Sequence, residues 1–182
     1  MSFLNVEIKA KCSDPDFVRT YLNKAGADFK GTDLQTDTYF KVPTGRLKIR
    51  EGNIENSLIY YQREDNAGPK NSHFHLIKLD NPSGLKEILV QTMGVKVIVQ
   101  KAREIYYIRN VKFHIDKVDG LGSFLEIEAG NILADLNEQE LAAQCNHYLK
   151  EFKVREADLI KESYSDILIN RLADNDSPHF SG

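Results

Sequence analysis

The chain has 182 residues, 41% of them hydrophobic and 28% charged, which suits one soluble globular domain with a sizeable core. Its 27 acidic and 24 basic side chains leave a net charge of −3, without the basic excess that a general nucleic-acid binder needs. Cys12 and Cys145 lack metal-ligand spacing and no apolar run reaches membrane-spanning length. The expectation is a reduced, cytoplasmic protein with no membrane or nucleic-acid partner.

Residues Asn5 to Lys11 alternate strictly, with Val6, Ile8 and Ala10 on an apolar face and Asn5, Glu7, Lys9 and Lys11 on a polar one, which is the pattern of a strand. Ser13-Asp14-Pro15-Asp16 reads as a helix start, followed by an apolar stripe from Phe17 to Ala25 and a stop at Gly26. Residues 29–42 read as extended. The Pro43-Thr44-Gly45 turn then delivers a basic strand in which Arg46, Lys48 and Arg50 share a face. In the next strand Ile59, Tyr61 and Arg63 share a face, and a further strand is expected over Phe74 to Leu79. Asn81-Pro82 opens a second helix with Leu85, Ile88, Leu89 and Met93 at core spacing, closed by Gly94.

Val95 to Arg109 reads as a long strand or a bent pair of strands, with Lys101 and Arg103 facing one way. Val111 to Val118 pairs back on it with His114 and Asp116 on one face, and Arg109 and Lys112 beside the turn read as solvated. The acidic strand Phe124 to Ala129 carries Glu126 and Glu128 on one face. Asn137 and Glu140 form a capping-box signature for a third helix striped by Leu141, Cys145, Tyr148 and Leu149. A short helix opens at Ser163-Tyr164-Ser165-Asp166, and 174–182 reads as a disordered tail, giving a single domain over 1–182 with its core at about 3–172.

Strands with one apolar and one charged face admit two arrangements. A sandwich would join the apolar faces and leave the charges in water. A barrel covered outside by helices would bring the charges together in a wet lumen, without exposed sheet edges. Alternation alone is the same in both.

Val6-Glu7-Ile8-Lys9, Gly45-Arg46-Leu47-Lys48-Ile49-Arg50, Ile59-Tyr60-Tyr61-Gln62-Arg63, Lys101-Ala102-Arg103, the stretch from His114 to Glu128 and Ser163-Tyr164-Ser165-Asp166 follow one another in an order that resembles the CYTH superfamily, the triphosphate tunnel metalloenzymes. The resemblance runs from about Phe3 to about Leu168 and is strongest to the branch related to class IV adenylyl cyclases. It implies an α+β fold, a closed eight-stranded antiparallel β-barrel with a charged lumen and helices packed outside. It also implies that Glu7, Glu126 and Glu128, supported by Asp116, hold Mg²⁺ or Mn²⁺, since hard cations take oxygen ligands. Lys9, Lys48, Arg50, Arg63, Lys101 and Arg103 would grip the triphosphate, with Lys11 and Lys70 as weaker candidates. No residue is singled out as general base.

One departure stands out. The family's entry motif reads Glu-x-Glu-x-Lys, and here Asn5 occupies the first acidic position, offering a carbonyl oxygen but no charge. The implied activity is metal-dependent cyclisation of ATP to cyclic AMP and pyrophosphate. The alternative is hydrolysis of tripolyphosphate, thiamine triphosphate or a nucleotide. Asn5 motivates a further reading, a non-catalytic triphosphate sensor, and a lipocalin-like carrier would instead require an apolar lumen.

Overall fold

In chain order the elements are β1 (Asn5–Lys11), α1 (Pro15–Lys24), β2 (Asp28–Phe40), β3 (Arg46–Glu51), β4 (Ser57–Gln62), β5 (Lys70–Asn71) and β6 (His73–Lys78). They continue with α2 (Ser83–Met93), β7 (Val95–Ile108), β8 (Val111–Val118), β9 (Gly122–Gly130), α3 (Glu138–Glu151), a 3₁₀ turn (Glu156–Asp158) and α4 (Tyr164–Asn175). The computed structural model describes residues 4–62, 70–71, 73–131 and 135–175. Among these the nine strands form one antiparallel sheet in the order β5-β1-β9-β8-β7-β2-β3-β4-β6. No described helix is long and apolar enough to cross a membrane.

Local signals explain the helix limits. Asp14 caps α1 by accepting from the Phe17 N–H at 3.0 Å, and Gly26, at φ +69°, takes the chain out of it. Asn137 and Glu140 complete the capping box of α3, at 3.1 and 2.8 Å. The outward residues of β1, β8 and β9, among them Val6, Ile8, Phe113, Ile115 and Ile127, pack against Val18 and Leu22 of α1 and Leu141 and Cys145 of α3. Arg19 also forks onto Glu104 of β7, at 2.7 to 3.0 Å, fastening α1 to the sheet.

α2 departs from expectation. Leu85 and Leu89 are half-buried, whereas Ile88 is 58% and Met93 39% exposed, and no residue of the helix is fully buried. The helix lies against β2, and Lys86 pairs with Glu51 of β3.

The sheet curls. Lys112 of β8 reaches Glu55, just after β3, at 3.1 Å although β7 and β2 lie between those strands in the sheet. Strands spaced ~4.8 Å apart in a flat sheet would keep such residues out of reach. The edge strands β5 and β6 are separated in sequence by one residue, yet no ladder joins them among the described residues. The expected eight-strand closure is therefore represented by a strongly curled sheet of nine strands, one of them two residues long.

Candidate active site

The period of two that hides Val6, Ile8 and Ile127 under the helices turns the alternate residues into the curl. Asn5, Glu7 and Lys9 of β1 do so, as do Lys48 and Arg50 of β3 and Lys101 and Arg103 of β7. Glu126 and Glu128 of β9 complete the set, and together these side chains line one cavity of about 460 Å³. The charged faces thus meet on the concave side of the curled sheet, with cations and carboxylates interleaved as ion pairs such as Lys9–Glu126. One end is apolar: Tyr39, Val99, Val118, Phe124 and Tyr164 form a second hydrophobic cluster on the same inward face.

The acidic wall has a definite geometry. Glu7 lies opposite Glu128 in the β1–β9 ladder, and Lys9 lies opposite Glu126. His114, Glu126 and Glu128 bring one ligand atom each to within 4.8 Å of one another. Burial and the neighbouring Glu126 and Glu7 push the Glu128 carboxyl up, against the pull of Lys112 and Asn5. Glu126 is held well below the usual carboxylate range, because Arg103 and Lys9 outweigh its burial. Burial and the Arg103 charge lower His114 to about 4, so its ring is neutral near pH 7.

Asn5 donates to Glu128 at 2.8 Å, while its buried Oδ1 and the His114 Nε2 lack a hydrogen-bond partner among the described residues. An unpaired buried oxygen and an unpaired imidazole nitrogen beside a carboxylate whose proton affinity is raised are suited to a cation. The donor set is rich in oxygen and so fits Mg²⁺ or Mn²⁺. Asn5 keeps an oxygen at the position where the family pattern has an acid.

Asp116 is placed differently from Glu126 and Glu128. It is fully buried, takes a guanidinium fork from Arg103 with Nε at 2.7 Å, and accepts from the Tyr164 hydroxyl at 2.8 Å. Its oxygens support Arg103 and Tyr164, and the Tyr164 ring lies 4.2 Å beneath the Lys9 ammonium. Lys11 is exposed at the end of β1 and does not line the cavity. Arg63 lies outside the described residues, and Lys70 is described by its backbone alone, paired opposite Glu7. Arg46 binds Asp166 at 2.7 Å and lines a separate cavity of about 310 Å³.

Asp37, Lys112 and Glu55 are lumen residues that escaped the sequence reading. Asp37 is 1% exposed and accepts from Lys48, Arg50 and Lys101. Its two-residue spacing from the inward Gln35 and Tyr39 was the available signal. Lys112, expected to be solvated, shares the face of His114 and Asp116 and points into the lumen, where Glu55 and Glu128 hold its charge. Glu55 sits in a turn, where no periodicity could reveal it. Asp33 accepts from the Ile54 and Glu55 N–H groups at 2.7 and 3.0 Å and fixes that turn. Lys112 and Arg50 overcome the burial of Glu55 and lower its carboxyl to about 2.

A family model for the CYTH domain matches residues 4–164. The chain belongs to the CYTH family. This CYTH chain is 27% identical, over 90% of its length and 98% of the relative's, to a Methanocaldococcus jannaschii protein named as a candidate adenylate cyclase. Its fold is similar to that of the PH1012 protein of Pyrococcus horikoshii, with a TM-score of 0.77 at 23% identity, covering 89% of this chain and 98% of that one. It is also similar to a Hippeastrum adenylyl cyclase candidate described as having a dominant triphosphatase activity. There the TM-score is 0.59 at 17% identity, over 93% of this CYTH chain and 96% of the other.

Proposed function

We propose that this CYTH domain is a divalent-metal-dependent enzyme acting on a triphosphate inside a tunnel formed by closure of the curled sheet. The reading rests on one observation: the cations Lys9, Lys48, Arg50, Lys101 and Arg103 share one cavity with Glu7, Glu126 and Glu128. The guanidinium forks of Arg50 and Arg103 match phosphate oxygens in pairs, while the lysines act as point charges. Glu7, Glu126 and Glu128, with Asn5 Oδ1 and the His114 ring beside them, would hold Mg²⁺ or Mn²⁺. When bound, the ion supplies neutralisation of charge on the phosphate oxygens. Asp116 keeps Arg103 in place. The apolar cluster at one end of the lumen excludes water from that side of the bound chain.

The leading reaction is cyclisation: the ribose 3′-hydroxyl attacks the α-phosphorus of ATP and pyrophosphate departs. A triphosphatase, in which water attacks the terminal phosphorus, uses the same cradle and is favoured by the likeness to the Hippeastrum protein. Incubation of the purified protein with Mg²⁺ or Mn²⁺ and either ATP or tripolyphosphate separates the two. Cyclic AMP with pyrophosphate identifies the cyclase, and orthophosphate identifies the triphosphatase. Binding without turnover would leave only a sensor. For either enzyme, Glu126→Gln is expected to lower turnover on the order of 100-fold or more.

A further inference from the structure

A carboxylate in the middle of an anion-binding wall has the wrong sign for its surroundings. Asp37 occupies such a place. It lies on β2, opposite Arg50 of β3 and Val99 of β7, and its side chain faces the lumen at 1% exposure. Its Oδ2 accepts from Lys48 Nζ and Lys101 Nζ at 2.8 Å each and from Arg50 Nη2 at 3.1 Å, and its Oδ1 accepts from Arg50 Nε at 2.9 Å. One oxygen thus collects three cationic donors, much as a phosphate oxygen would. Asp37 makes its hydrogen bonds to Lys48, Arg50 and Lys101 and is not part of the His114–Glu126–Glu128 cluster.

We propose that Asp37 is a positioning residue, whose carboxylate gathers Lys48, Arg50 and Lys101 into a preformed cradle and thereby raises affinity for the anionic substrate that it also repels. The inference rests on the reading of the lumen as a triphosphate site. Its physical basis is mutual repulsion. Three buried cations within reach of one point would spread apart or lose a proton without a shared counter-ion.

Lys101 is the one that gives way. Burial lowers it to about 7 even with Asp37 beside it, and Arg50 and Lys48 of β3 and Arg103 of its own strand all press in that direction. Asp37 is the group that opposes them. Removing its charge therefore leaves Lys101 neutral over a wider range of pH, and the cradle loses a positive charge as well as its alignment.

The test is the Kd of tripolyphosphate, measured calorimetrically from pH 6 to 9 in metal-free buffer for the wild-type chain, Asp37→Asn and Asp37→Glu. The ratio of variant to wild type cancels the ionisation of tripolyphosphate itself. Asp37→Asn is expected to bind at least about tenfold more weakly near pH 7, with the fall in affinity on raising the pH displaced to lower pH. Asp37→Glu keeps the charge but moves it by one methylene, so it should weaken binding several-fold and leave the pH profile in place. Tighter binding by Asp37→Asn would mean that the carboxylate acts only as a repulsive charge, and would overturn the proposal. Should Asp37→Asn fail to fold, Asp37→Glu decides alone, and wild-type affinity in that variant overturns it. A wild-type chain that does not bind tripolyphosphate at all removes the triphosphate reading first, and this inference with it.

Discussion

Glu128 carries the residue-scale consequence most open to direct measurement. Burial and the charges of Glu126 and Glu7 raise its proton affinity, so the same surroundings that disfavour its ionised form favour a cation in place of the proton. Addition of Mn²⁺ to the metal-free protein in weak buffer is expected to release protons, and Glu128→Gln should reduce that release. Glu55 behaves in the opposite sense. Its carboxyl lies at about 2 in the folded chain against ~4.3 for an ordinary glutamate, so its stabilisation is present above the ordinary value and is lost as the pH falls toward 2. The full shift would correspond to about 3 kcal/mol, and with a side chain 31% exposed, solvent screening brings the contribution below that. Urea melts of Glu55→Gln between pH 5 and 2.5 should show a flatter acid decline than the wild type.

At the scale of elements, the strands were legible because charge and apolarity alternate cleanly along them. β1, β3 and β8 occupy the expected residues, and the capping residues Asp14 and Asn137 occupy their expected places. The second helix shows what alternation leaves out. A stripe at helical spacing says which residues share a face, not how much sheet lies beneath that face. Leu85 and Leu89 find partial cover, whereas Ile88 and Met93 do not. The contrast is measurable: Ile88→Lys should change unfolding free energy by less than about 0.5 kcal/mol. Ile49→Ala, at a strand position with 0% exposure, should cost about 3 kcal/mol in the same denaturant titration.

Across the whole molecule, the site was legible wherever a regular strand carried it and illegible where a turn did. Parity placed Lys48 with Arg50, Lys101 with Arg103 and Glu126 with Glu128 on shared faces, the family resemblance made those faces one site, and parity could also have added Asp37 and Lys112. Glu55 depends on a tertiary arrangement in which Asp33 gathers the 52–55 turn and Lys112 bridges to it from β8. Gly52 is the point at which that arrangement can be broken. A Cβ there would stand 2.5 Å from Asp33 Oδ1 and 2.8 Å from the Glu55 carbonyl, too close for any side chain. Gly52→Ala is expected to lower the Tm by several degrees and to weaken tripolyphosphate binding, although residue 52 does not line the cavity.

Lys9 lies between Glu126, far along the sequence, and the ring of Tyr164, and its own carbonyl accepts from the Ile160 N–H at 2.9 Å. Lys9 and Tyr164, far apart in the sequence, are therefore neighbours on the lining of one cavity. A fragment ended before residue 160 lacks the ring beneath Lys9 and the hydroxyl that binds Asp116, so those two charges lose a shared support.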